Sequence, residues 1–324
     1  MCSGPCGSSE LWRDNVEKRP GVFSGRVGVA FLSPALFFVV IFLLVPFFWV
    51  FYLSFTNRTL TGFTAAHPQY VGLANYQQLL SLRHGQFNFD RWMRLGEFGS
   101  ALKITFQFVI GSALLGQAIV GMVIAWAFYR RRGFWRELVF TLAVLAWIVP
   151  EVVAAFAWSA YLEVDHGTLN TILGYFHLGK PDWLFYHPLL SIIIFNTWRG
   201  SAFSILLFSS ALETIPPSYM ETADVVGASP WRKFRDILFP LLSGHILTDL
   251  ILITLWTFNT FTPFLLTGGG PIFKTQLVSI YTYLTAFKYF EFGRGGAIAV
   301  VMMLINFVLA LVYLLMLRRQ RVTT

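Results

Sequence analysis

Six long, predominantly apolar stretches decide what this chain can become. A helix needs about 20 such residues to cross a bilayer core, and backbone that cannot satisfy its own polar groups is not tolerated there. The stretches run roughly over residues 27–55, 101–129, 137–162, 188–212, 241–266 and 296–317. They predict an all-α integral membrane protein with six transmembrane helices. Charged residues make up 12% of the chain, against roughly 25% in soluble domains, which agrees. The formal charge of +8 is spread between apolar spans, as in cytoplasmic membrane loops, so it points to a lipid bilayer and to no nucleic acid.

Six spans put both termini on one side. Of the 24 Lys and Arg, 14 lie in the leader, in or beside the second connection (Arg130, Arg131, Arg132, Arg136), in the fourth (Arg232, Lys233, Arg235) and at the end (Arg318, Arg319, Arg321). Positive-inside logic makes those segments, and both termini, cytoplasmic. Connections 56–100, 163–187 and 267–295 are then external. The expected organisation is a cytoplasmic tail at 1–26, a six-helix domain at 27–317 and a second tail at 318–324. The leader carries no cleavable apolar core, and its Cys2 and Cys6 form neither a disulfide framework nor a metal site.

The fourth connection, 218–240, is the one long polar interval in the second half: SYMETADVVGASPWRKFRDILFP. Ser218 and Glu221 have capping-box spacing, Gly227 falls where a helix ends, and Ser229–Pro230 restarts one that Pro240 is expected to stop. In the second piece Trp231, Phe234, Ile237 and Leu238 share a face. Helices this short are marginal alone, so the pair needs a partner surface.

Polar residues inside the spans are few. Glu151 follows Pro150 in the third, where proline tends to kink a helix; it either lines a pathway or sits at an interface. Asn196, Thr197, Trp198 and Arg199 cluster in the fourth, a chemistry that suits sugars, with an arginine snorkelling beside a packing tryptophan as the alternative. In the fifth, Asp249, Trp256, Asn259, Thr260 and Pro263 recur at helical spacing as one stripe, either a solute route or helix-to-helix glue. Candidate pathway residues are thus Glu151, Asn196, Trp198, Arg199, Trp256 and Asn259. GGGPIFKT at 268–275 fails as a phosphate loop, since Phe273 precedes the lysine and Pro271 lacks a donor. No catalytic constellation and no metal-ligand spacing appears, so the chain is expected to be a transporter subunit and no enzyme.

The interval 218–240 resembles the cytoplasmic EAA signature of permease subunits of binding-protein-dependent ABC importers, in the carbohydrate branch typified by maltose, lactose and glycerol-phosphate systems. That signature is Glu-Ala-Ala, three residues, Gly, nine residues, then Ile-x-Leu-Pro. Here Glu221, Thr222 and Ala223 are followed at the same spacing by Gly227 and by Ile237, Leu238, Phe239 and Pro240. Thr222 and Phe239 depart from the pattern, and Val226 replaces the acidic residue common before the glycine. VGLANYQQLL, GTLN, TWRG, LTGGGP and AFKYFEFGRGGAIAV resemble the same branch in order and placement.

The resemblance implies a type I ABC importer permease fold in a bacterial or archaeal plasma membrane. It implies a coupling helix docking on a separate ABC ATPase dimer, through Glu221, Ala223, Gly227, Trp231, Arg232, Phe234, Ile237 and Pro240. ATP and Mg would be bound by that partner, with no cofactor in this subunit. A homologous second permease and an extracytoplasmic solute-binding protein complete the expected assembly, for a sugar, oligosaccharide or polyol phosphate. The rivals are an ion-coupled secondary carrier, which would need coupling carboxylates such as Glu151 or Asp249, and an ABC permease for another solute.

Overall fold

The computed structural model describes residues 25–83 and 86–323; Cys2, Cys6 and the rest of 1–24 lie outside them. The chain divides into two compact units, residues 1–52 and 53–324. The first holds nearly all of α1 (Val29–Leu53), an apolar helix that takes one wide π turn at Val40–Leu44 just ahead of Pro46. A π turn lets a helix pass a proline that cannot donate.

The second unit contains α2 (Phe98–Ala127), α3 (Phe134–Ile148), α4 (Glu151–Tyr161), α5 (Pro188–Glu213), α6 (Pro217–Val225), α7 (Pro230–Asn259), α8 (Pro263–Thr267) and α9 (Phe292–Arg319). A hairpin of two-residue strands, β1 (Leu82–Arg83) and β2 (Gln86–Phe87), is the only sheet among the described residues.

Among the described residues, five helices are long and apolar enough to cross a membrane. The third expected span is no single helix: α3 and α4 meet at a 107° bend, so the count is five, or six if the pair is one span. Val149 and Pro150 supply the bend. The residue before a proline is driven to extended backbone, and Val149 sits at ψ 130° with Pro150 at ψ 135°.

The fifth span differs in the opposite sense. Pro240 does not stop a helix; α7 runs unbroken from Pro230 through Pro240 to Asn259. One π turn at Phe234–Leu238 precedes the proline and absorbs its missing donor, as in α1. The span ends early, because Thr260 turns to extended backbone and Pro263 starts α8.

Helix α5 is the centre of the unit and packs on α2 through small residues. A Cβ added to Gly121 would overlap Ser204, one on Gly116 would overlap Thr197, and one on Gly200 would overlap the Gln117 carboxamide. Without a hydrophobic force between helices in lipid, such close approach is what generates packing energy. Three apolar clusters complete the core. Val109 and Ala113 meet Phe258 and Ile298; Phe108 and Phe195 meet Ala155 and Ile280; Phe208 and Leu212 meet Met220, Leu238 and Leu242.

The 163–187 connection closes on one side chain. Asn170, fully buried, donates to the carbonyls of Val164 and Pro181 at 3.0 Å and accepts the Trp183 indole N–H at 2.9 Å. Beside it the Glu163 carboxylate accepts the His166 N–H at 2.6 Å, which holds its pKa below the ordinary value.

Candidate functional site

Between the two helix breaks lies a cavity of about 260 Å3. Trp147 ends α3 on one side of the first break and Glu151 opens α4 on the other, where a carboxylate complements the helix dipole. Helix α5 adds Asn196, Arg199 and Phe203, α2 adds Gln117, and α7 adds Trp256 and Thr257.

The polar groups are cross-linked. Glu151 pairs with Arg199 at 2.8 Å and accepts from Thr262, beyond the second break, at 2.6 Å. The Asn196 amide donates to Ser112 at 3.0 Å and to Thr257 at 3.5 Å. Gln117 donates to the Asn196 carbonyl and to Thr257, both at 3.4 Å. One atom is left over: the Arg199 Nε is buried without a partner among the described residues. Trp256, half-exposed, packs edge-on against Phe203 with centroids 4.9 Å apart, and Trp147 lies 6.2 Å from the same ring. Amide and hydroxyl groups, an internally compensated charge pair and indole surface together suit a polyhydroxylated solute.

Of the six pathway candidates, Glu151, Asn196, Arg199 and Trp256 line this cavity, and Trp198 and Asn259 do not. Trp198 packs on Trp158 at 5.5 Å. Asn259 exchanges two 3.0 Å hydrogen bonds with Asn306 of α9, a helix-to-helix link. The expected stripe on α7 is therefore divided: Asp249 is fully buried against the Ser204 hydroxyl at 2.9 and 3.0 Å, Trp256 faces the cavity, and Asn259 faces α9. Gln117, Trp147 and Thr257 went unnoticed in the sequence. Gln117 carried a signal, being a carboxamide inside an apolar span; Trp147 carried none.

The second candidate site is the loop at 218–240. The expected capping box does not form: α6 is capped by Pro216, begins at Pro217 and makes no side-chain cap bond. Its other end is closed by Gly227 at φ +69°, whose N–H bonds the Asp224 carbonyl at 3.0 Å while the Ala228 N–H reaches Ala223 at 2.9 Å. This is a left-handed glycine cap with both orphan carbonyls satisfied. Ser229 accepts the Arg232 N–H and Pro230 opens α7, as its sequence predicts. Lys233 and Asp224 pair across the turn.

Met220, Ala223 and Leu238 anchor the loop inward, and Phe234 packs at a tilt against Trp126 with centroids 4.8 Å apart. Trp231 stacks on Phe234 at 5.6 Å, on the face the two were expected to share, yet is 62% exposed; Glu221 and Arg232 are exposed as well. Val225 and Val226 are 88% and 73% exposed at the tip, an apolar surface with no cover among the described residues.

Apolar spans folded around a charge-compensated polar cavity, with an exposed helical loop anchored at one end, define a multi-pass membrane transport subunit. The chain belongs to the family of inner membrane components of binding-protein-dependent transport systems, whose family pattern matches residues 117–322. That match runs from Gln117 to α9 and includes both sites. It removes the ion-coupled carrier as a rival.

Relatives agree. The chain is 30% identical to the probable ABC transporter permease protein YesP of Bacillus subtilis over 86% of each chain. It is 29% identical to the trehalose/maltose transport system permease protein MalF of Thermococcus litoralis, over 89% of this chain and 92% of that one. Among solved structures, a bacterial alginate ABC transporter in complex with an alginate pentasaccharide-bound periplasmic protein has a chain with the same fold. Its TM-score is 0.70 at 19% identity, over 96% of this chain and 98% of that one.

Proposed function

We propose that this chain is the permease subunit of an ATP-driven importer for a sugar, oligosaccharide or polyol phosphate, and that it forms half of the translocation pore with a homologous second permease. The observation that carries this is the cavity at the two helix breaks, where Asn196, Gln117 and Thr257 offer hydroxyl-matching groups beside the Trp256 indole. The trehalose/maltose relative supports the solute class.

In this reading both termini and 218–240 are cytoplasmic, in the plasma membrane of a bacterium or archaeon. The loop docks on a separate ATPase dimer, which binds ATP and Mg. Val225, Val226 and Trp231 supply the apolar contact, Glu221 and Arg232 the polar rim. Val226 gives hydrophobic contact where the family signature usually carries an acid. Connections 56–100, 163–187 and 267–295 receive an extracytoplasmic solute-binding protein; the alginate ABC transporter, solved in complex with a periplasmic protein, supports a partner of that kind.

The test is reconstitution of the chain with the ATPase, second permease and binding protein encoded beside it. ATP-dependent accumulation of a labelled oligosaccharide is expected, and Gly227→Asp should abolish it at unchanged membrane abundance. Uptake that persists without an ATPase, or accumulation of amino acids or metal ions in place of sugars, overturns the reading.

A further inference from the structure

Helices α2 and α3 are joined by residues 128–133, which bring Arg130, Arg131 and Arg132 beside Arg136 in the first turn of α3. The four line a cavity of about 630 Å3 at the end of the unit where α5 hands over to α6, since Glu213 and Pro217 line it too. Arg136 is already engaged, with Glu137 at 2.9 Å, Glu213 at 3.1 Å and the Phe140 ring at 4.7 Å. The other three guanidiniums meet no carboxylate among the described residues and are exposed. Four cations against two carboxylates leave the cavity positive. The run is held by a tight turn, with Arg130 at φ +60° and the Arg131 N–H bonded to the Phe128 carbonyl at 3.0 Å.

A run of arginines at a span end ordinarily serves only to orient the chain. Here it rims a cavity whose other wall is apolar, made by Ala125, Phe128 and Leu212. That layering, cation beside hydrocarbon at the end of two spans, matches an amphiphile. Guanidinium forks bind phosphate oxygens in pairs, and basic pockets between membrane helices take anionic headgroups. A free phosphate would leave the apolar wall unused.

We propose that this cavity binds a phosphate-bearing anion, supplied by the headgroup of an anionic phospholipid whose first chain carbons lie on the Phe128–Leu212 wall. The site is separate from the solute cavity and adjoins the docking loop only through Pro217 at the start of α6.

The test uses the full transporter complex in discs of mixed phosphatidylcholine and phosphatidylglycerol, followed by native mass spectrometry of lipids retained on extraction. Wild type is expected to keep phosphatidylglycerol selectively. Arg130→Gln/Arg131→Gln/Arg132→Gln together should weaken its retention roughly 100-fold, whereas Arg318→Gln, which removes a cation elsewhere, should not. Arg130→Lys/Arg131→Lys/Arg132→Lys, retaining charge without the fork, should give an intermediate loss and serves if the glutamine variant fails to assemble. Equal retention in wild type and variants overturns the site. Displacement of the lipid by inorganic phosphate or glycerol phosphate overturns the lipid assignment in favour of a soluble anion.

Discussion

Glu151 and Thr262 lie 111 positions apart and meet in a 2.6 Å hydrogen bond, each standing just past a break in a helix. Through Glu151 the first break is also tied to Arg199 in the middle of α5. One carboxylate therefore fixes the mutual placement of three elements around the cavity.

Glu151→Gln keeps an acceptor for Thr262 and removes the charge opposite Arg199. Because the pair is partly exposed, the expected cost is about 1 kcal/mol, read as a lowered melting temperature of the purified complex. A double-mutant cycle with Arg199→Gln should return a coupling of similar size. Additive effects would mean the pair contributes nothing.

Trp256 and Trp198 should separate function from packing. Trp256→Ala removes a cavity wall and is expected to reduce uptake at unchanged membrane abundance. Trp198→Ala unpicks the contact with Trp158 at a cost of about 1 kcal/mol per aromatic pair, and should lower abundance with uptake per molecule preserved. Uptake and immunoblot quantification on the same membranes distinguish the two.

Gly227 has open space around its Cα, so its requirement is conformational. At φ +69° a β-branched side chain costs about 1–2 kcal/mol, and Gly227→Val is expected to lose ATP-coupled uptake more severely than Gly227→Ala. ATPase stimulation in proteoliposomes measures it.

Asn170→Ala strands the Trp183 indole N–H and two carbonyls in a buried position, and should destabilise the 163–187 connection by about 1–3 kcal/mol. Limited proteolysis of that connection reports it. The neighbouring Glu163 has a lowered folded pKa, so its contribution is present above the unfolded value near 4.5 and fades as pH falls through the folded one. Protection of the His166 amide, measured as its exchange rate relative to the intrinsic rate at each pH, should fall over that acid range, and Glu163→Gln should abolish the pH dependence of that protection.

Hydropathy located the spans because lipid imposes one requirement on every residue of a span. Prolines were harder to interpret. Pro150 announced a disturbance, but a bend of 107° depends on Val149 also being extended, which tertiary packing decides. Pro240 looked like a stop and is crossed by a π turn, a device with no sequence signature. The loop's glycine cap and the Ser229 cap were legible because both are local backbone requirements. The cavity was half legible: charged and amide residues are conspicuous in a span, yet whether Asn259 faces solute or Asn306 depends on where α9 lies.

The unbroken passage of α7 through Pro240 has a mechanical consequence. Its 30 residues form one shaft about 45 Å long, with Trp231 and Arg232 near one end and Trp256 near the other. A tilt of about 5° imposed at the loop would displace the far end by about 4 Å. Pro240, expected to stop a helix, is instead crossed by one, so a tilt at the Trp231 end is carried along the same helix to the Trp256 end.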